Sequence, residues 1–181
     1  MNNKKTSTLT LIGLMTAVTC ILGPLSIAIP ISAVPISFTN LAIYISAIIL
    51  GWKKGTISYL VYLLIGFVGV PVFSSFSSGP AKLLGPTGGY LIGFIFMALI
   101  AGYFVDKFAG KIYMYAVGMI LGTIVTYGLG TAWLAYQTNM TFGAALLVGV
   151  VPYIVGDLVK IVVAIGLGVA IKKQIKSAGF L

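Results

Sequence analysis

Long apolar blocks alternate along this chain with short polar breaks, and six blocks suit membrane-spanning helices. They cover roughly residues 7–23, 39–52, 55–70, 88–105, 111–133 and 146–171. A span wants about 20 apolar residues, so the second and third are near the minimum. Only Trp52-Lys-Lys-Gly55 parts them, which predicts short or tilted helices extended by apolar loop residues. Asn2–Lys5 followed by Thr8–Leu22 has the outline of a signal peptide. No small-x-small site closes that run and more membrane-type sequence follows it, so it reads as a first span.

Polar positions sort by side. With the amino terminus inside, the inner segments hold Lys4, Lys5, Lys53, Lys54, Lys107, Lys111, Lys172, Lys173 and Lys176. The outer segments hold only Lys82, and Lys160 lies within a span. Excess lysine on the cytoplasmic side orients such proteins, which predicts six helices with both termini in the cytoplasm. The seven prolines sort the opposite way. Pro24, Pro30, Pro35, Pro71, Pro80, Pro86 and Pro152 fall in outer segments or at the outer end of a span. Proline ends helices, so 24–38 and 71–87 are expected to be non-helical, yet they are rich in Ile, Val, Phe and Leu. Irregular backbone near the membrane is tolerated where it is buried or lines a cavity, and these loops read as lids over an outward-opening pocket.

Composition agrees. Of 181 residues, 60% are hydrophobic and 7% charged, and the mean hydropathy is +1.14. The expected fold is therefore an all-α integral membrane protein, one domain over residues 1–181. Its form is a bundle of six transmembrane helices with proline-rich outer loops acting as lids. The net charge of +9 does not imply nucleic acid, because there is no Arg and the lysines are scattered between apolar runs. With no His, two acids and one cysteine (Cys20), a metal site is not expected, nor is any cofactor. No Gly-x4-Gly-Lys-Ser/Thr loop is present, so any ATP must be handled by another chain.

Against this background Asp157 and Lys160 stand out, because both sit inside the last apolar block, three residues apart on one helical face. Ionisable groups at bilayer depth are costly, by roughly 2.5–3.5 kcal/mol each on insertion scales, and are usually functional. If the helix enters at Tyr153, a rise of about 1.5 Å per residue sets them some 6 and 10 Å below the outer surface. A self-neutralising pair that only holds the bundle together is the bland alternative. One acceptor beside one donor suits a neutral polar ring. The second acid, Asp106, beside Lys107, reads as an ordinary solvated interface residue.

Gly85-Pro-Thr-Gly-Gly-Tyr90 opens the fourth span. Thr87, Gly88 and Gly89 at a helix start leave backbone N–H groups facing outward, a place for a carboxylate or carbonyl. The alternative is Thr87 as cap and the glycines as helix packing. Phe73, Phe76 and Tyr90 offer apolar walls, and Asn40 an amide that needs a partner. Small pairs four residues apart recur, among them Gly13/Ala17, Gly89/Gly93, Ala98/Gly102, Gly118/Gly122 and Ala164/Gly168, and mostly read as internal packing.

The run Leu84-Gly-Pro-Thr-Gly-Gly-Tyr-Leu-Ile-Gly-Phe94 resembles the signature of the BioY family, the biotin-binding S components of energy-coupling factor vitamin transporters. Val34-Pro-Ile-Ser-Phe-Thr-Asn40, Gly69-Val-Pro-Val-Phe73 and Gly156-Asp-Leu-Val-Lys160 are similar to family segments in the same order. The second segment departs from the pattern, with Phe38-Thr39-Asn40 where relatives often carry Gln-Thr. The resemblance implies a six-helix protein of a prokaryotic plasma membrane that binds biotin from outside. It implies docking on a transmembrane T component with two ABC-type ATPases, through a small-x-x-x-small motif matched by Gly13 and Ala17. It also maps vitamin contacts onto Asp157 and Lys160. Asn40, Phe73, Thr87, Gly88, Gly89 and Tyr90 complete the expected binding set. A solitary secondary transporter of a small carboxylate, or an S component for another vitamin, are the alternatives. An enzyme is not expected, since no nucleophile–base set is apparent.

Overall fold

The structure is a computed structural model and describes residues 3–30, 32 and 34–180. Helix α1 (Asn3–Leu22) leads into a connector whose ends pair as a two-residue antiparallel ribbon, β1 (Ser26–Ile27) with β2 (Ile36–Ser37). Then follow α2 (Thr39–Phe67), a short α3 (Pro80–Leu84), α4 (Gly88–Lys107), α5 (Ile112–Thr138), a short α6 (Phe142–Gly149) and α7 (Ile154–Ser177). Among the described residues, five helical stretches are long and apolar enough to cross a membrane: Lys5–Leu22, Thr39–Phe67, Gly88–Lys107, Ile112–Thr138 and Phe142–Ser177. The chain is a mostly helical, multi-pass membrane protein.

The second and third expected spans form the single stretch α2, broken at Gly51 (φ 74°, ψ −173°). In an unbroken helix Ala47 and Gly55 would lie about 12 Å apart along the axis. Instead, a Cβ on Gly55 would sit 3.5 Å from the Ala47 Cα. The chain doubles back, and residues 39–50 and 52–67 are two antiparallel arms. Only glycine takes this φ without strain, and a Cβ at residue 51 would fall 2.4 Å from both Asp106 carboxylate oxygens.

That contact gives Asp106 a further role beyond the solvated one expected of it. The residue is exposed, but its Oδ2 accepts the Trp52 N–H at 3.0 Å. A donor left open at the start of the second arm is thereby satisfied from another helix.

Two other expectations change. The last block, expected over 146–171, is not one unbroken helix. Pro152 lies in a short 3-10 turn, Val151–Tyr153, that separates α6 from α7. The connector 71–87 is not wholly irregular either, since Pro80 starts α3 from the first-turn position where its missing N–H is not needed.

Small residues set the packing. Gly102 faces the Trp52 backbone, Gly122 faces Met97, Gly93 faces Thr126, Gly118 faces Phe104 and Gly168 faces Ile48. The first arm of α2 is almost entirely buried between α1, α4 and α7, and Tyr44, Ile48, Met97, Val105 and Met119 form the centre of the core. At the proline-rich end, the Ser75 N–H donates to Ser26 Oγ at 2.8 Å and to the Pro24 carbonyl at 3.2 Å, tying the two connectors together. The two connectors joined in this way each lend residues to the cavity described next, among them Ser37 and Ser74.

Candidate functional site

A cavity of about 630 Å³, counted with its open mouth, lies at the proline-rich end between α2, α4, α5, α7 and the first connector. Each wall follows from a local feature of the chain. The turn at Val151–Tyr153 starts α7 so that Asp157 and Lys160, one helical turn apart, both face inward. The β1–β2 ribbon brings Ser37 over them, and α2 begins at once with Thr39 and Asn40. α4 supplies Tyr90, Leu91, Phe94 and Met97, and α5 supplies Thr126 and Tyr127.

The polar centre is one connected set of hydrogen bonds. Lys160 Nζ donates to Asp157 Oδ1 at 2.9 Å, to the Ser37 carbonyl at 2.7 Å and to Asn40 Oδ1 at 3.2 Å. Three donors meet three acceptors. The Tyr127 hydroxyl donates to Asp157 Oδ2 at 2.6 Å, so both carboxylate oxygens are engaged. The Lys160 ammonium also stands 5.8 Å from the centre of the Phe38 ring, within cation–π range. Asp157 and Lys160 are each 8% exposed. Paired charges this deep persist because each is neutralised and hydrogen-bonded, which a lone charge would not be.

Two tyrosines fasten the rim. Tyr153 donates from its hydroxyl to the Val34 carbonyl, which holds the connector to the start of α7. Tyr90 donates to the Gly149 carbonyl at 2.9 Å, joining α4 to the end of α6. The remaining wall mixes apolar residues, with Leu91, Phe94 and Met97 prominent, and the hydroxyl residues Thr39, Ser74, Thr87 and Thr126. A largely apolar, partly enclosed cavity with a few convergent polar groups is the usual form of a small-molecule site. Outside the spans, half-burial on α3 pushes the Lys82 ammonium below its ordinary value.

Of the residues singled out from sequence, Asn40, Thr87, Tyr90, Asp157 and Lys160 meet at this cavity. Gly88, Gly89 and Phe73 do not line it. A Cβ on Gly89 would lie 2.3 Å from the Trp133 Cβ, and one on Gly88 would meet the Leu83 carbonyl, so both glycines serve close packing. Phe73 is fully buried behind the wall, edge-on to Tyr62 and pressed on Gly66, whereas Phe76 is exposed. The neighbouring Ser74 reaches the cavity instead.

The helix start at Thr87 also differs from expectation. The Gly88 N–H donates to the Gly85 carbonyl at 2.9 Å, and the Tyr90 N–H to the Thr87 carbonyl at 3.2 Å. These two donors are spent on the turn, and the Thr87 side chain caps nothing. Gly13 and Ala17 sit on the exposed face of α1, with nothing within 4 Å of a Cβ on Gly13. Tyr127, Tyr153, Phe94 and Met97 had no sequence signal, because an aromatic or Met in an apolar span reads as lipid anchor or core.

A helical membrane bundle built around a polar-centred cavity has the form of a membrane protein that holds a small molecule. Comparison with known proteins makes this specific. The model of the BioY family matches residues 1–177, and the chain belongs to that family. It is 34% identical over 171 residues to biotin transporter BioY2 of Lactococcus lactis subsp. cremoris, covering 94% of this chain and 93% of that one. It is 37% identical over 147 residues to biotin transporter BioY of Thermotoga maritima, covering 81% and 86%. Among solved structures it is similar to the S-component for biotin from an ECF-type ABC transporter, with a TM-score of 0.89 and 33% identity. That match covers 96% of this chain and 95% of the other.

Proposed function

We propose that this chain is the biotin-binding S component of an energy-coupling factor importer in a prokaryotic plasma membrane. The observation that carries the reading is the buried Asp157–Lys160 pair facing a small cavity, in a chain so similar to biotin transporters. Asp157 accepts a ureido N–H of biotin, Lys160 donates to the ureido carbonyl, and Asn40, Thr87 and Tyr90 border the ligand. Leu91, Phe94 and Met97 give an apolar bed for the thioether ring and the valerate chain.

Six crossings, with the two arms of α2 counted separately, and both termini in the cytoplasm belong to this reading. The reversal at Gly51 and the lysine distribution support them. The connectors 24–38 and 71–87 then face outward as lids. Gly13 and Ala17 dock on a transmembrane T component, whose two ATPases drive uptake; this chain holds no phosphate loop of its own.

One observation favours keeping the reverse ligand orientation as a second reading. The Gly88 and Tyr90 N–H groups are occupied, so the helix start offers the valerate carboxylate fewer donors than expected. In that reading Lys160 holds the carboxylate.

Binding of biotin, thiamine and riboflavin to the purified chain, without ATP, tests the function. One biotin per chain, with the other vitamins failing to compete, is the expected result; undetectable biotin binding would overturn it. Biotin methyl ester and desthiobiotin on wild type and Lys160→Ala separate the orientations. An ester penalty that is present in wild type and vanishes in Lys160→Ala assigns Lys160 to the carboxylate.

A further inference from the structure

We infer that Tyr127 is a positioning residue for this site: its hydroxyl sets the direction in which the Asp157 carboxylate meets the ligand. The inference rests on the biotin-binding reading above and adds to it a residue that does the orienting. Asp157 lies between two hollows. On one side is the cavity; on the other is a mostly apolar groove of about 500 Å³, counted with its open side, between α5 and α7, bordered by Ile120, Ile124, Leu158 and Ile161. Tyr127 and Asp157 border both hollows, so they form the partition between them.

Among the described residues, Tyr127 is the polar partner that the groove side gives the carboxylate. Thr123, which also borders the groove, spends its hydroxyl on Tyr44 and on the Met119 carbonyl at 2.7 Å. With Lys160 at Oδ1 and Tyr127 at Oδ2, the carboxylate plane is fixed from two helices, α7 and α5. Without the hydroxyl, one oxygen faces hydrocarbon, and the group rotates toward the Lys160, Asn40 and Ser37 cluster. It then no longer presents an oxygen across the cavity to a ureido N–H.

The arrangement also explains how a single acid can bind a neutral ring without being fully consumed by its lysine. A carboxylate accepts about four hydrogen bonds, and two directed partners leave lone pairs in known directions. Ligand recognition then follows from a direction that Tyr127 sets, not from charge.

The test uses the full-length chain in detergent, with biotin and biotins N-methylated at either ureido nitrogen. In wild type one of the methylated forms binds much more weakly, because it lacks the N–H that Asp157 accepts. Tyr127→Phe keeps the ring and removes the hydroxyl; it is expected to weaken biotin by about 10- to 100-fold, the range of a hydrogen bond to a charged group. It is also expected to shrink the biotin-to-methylbiotin affinity ratio by at least several-fold. A merely structural role would weaken both ligands equally and leave the ratio unchanged. An unchanged ratio, with or without weaker binding, overturns the inference. If Tyr127→Phe does not fold, Tyr127→Met is read the same way. Wild type that fails to bind biotin at all overturns the functional reading itself; wild type that binds while the variant ratio stays fixed overturns only the role of Tyr127.

Discussion

Lys160 on α7 and Ser37 at the end of the first connector are 123 positions apart in sequence, and the lysine ammonium donates to the serine carbonyl at 2.7 Å. One side chain therefore ties the buried charged pair to the first connector. A ligand carbonyl that takes a proton of Lys160 must share that ammonium with Ser37, Asn40 and Asp157. On the proposed reading, binding and the position of the connector are coupled through that group.

Removing Lys160 takes a donor from three acceptors at once, of which Asn40 Oδ1 keeps the Leu41 N–H. Lys160→Ala is expected to destabilise the fold by about 3–5 kcal/mol, since it leaves Asp157 buried without its counter-ion. The double variant Asp157→Leu with Lys160→Met removes both charges together and should recover most of that loss, while binding no biotin. Thermal unfolding in detergent, run beside biotin titration, measures both. A double variant no more stable than Lys160→Ala would show that the pair does not behave as a unit.

The reversal at Gly51 predicts an ordered pair of effects at the opposite end. Gly51→Ala puts a Cβ against the Asp106 carboxylate and strains the backbone, at about 1–2 kcal/mol for the backbone alone. Asp106→Ala removes only the acceptor for the Trp52 N–H, a capping loss of about 1 kcal/mol. Melting temperatures should fall further for Gly51→Ala, and neither change should alter ligand specificity. The opposite order would mean that Asp106 does more than cap.

Much of this was legible in the sequence for a simple physical reason. A bilayer makes charges rare, so Asp157 and Lys160 announced themselves. Asn40 was legible in the same way, as an amide at a helix start. What escaped were roles that depend on a distant partner. Asp106 finds the Trp52 N–H across 54 positions, and Tyr127 finds Asp157 across 30. Nothing in an apolar helix distinguishes such residues from lipid anchors. Glycine misleads for another reason, because an open backbone donor and a close helix contact both call for it. At Gly88 and Gly89 the contact with Leu83 and Trp133 is the reason.

That distinction is measurable at Gly89. Gly89→Ala sets a methyl 2.3 Å from the Trp133 Cβ and 2.9 Å from the Leu129 carbonyl, neither of which is the free end of a flexible side chain. Overpacking of this kind should lower stability by about 1–3 kcal/mol by forcing α4 and α5 apart. Biotin affinity per folded molecule should be nearly unchanged. A large selective loss of affinity with unaltered melting would instead return Gly89 to the ligand.

Gly13 and Ala17 allow the partner reading to be separated from everything else. They lie on the exposed face of α1, and among the described residues nothing comes within 4 Å of a Cβ placed on Gly13. Small residues at such spacing let a second helix approach closely in lipid, which bulky side chains prevent. Gly13→Leu with Ala17→Leu should therefore shift stability by no more than about 0.5 kcal/mol, as exposed substitutions do. Biotin binding by the isolated chain should be intact. Copurification with a T component and its ATPases, and ATP-driven biotin uptake in reconstituted vesicles, should both be lost. Uptake that survives the two leucines would mean that α1 is not the docking helix, and the search for that surface would move to another lipid-facing side of the bundle.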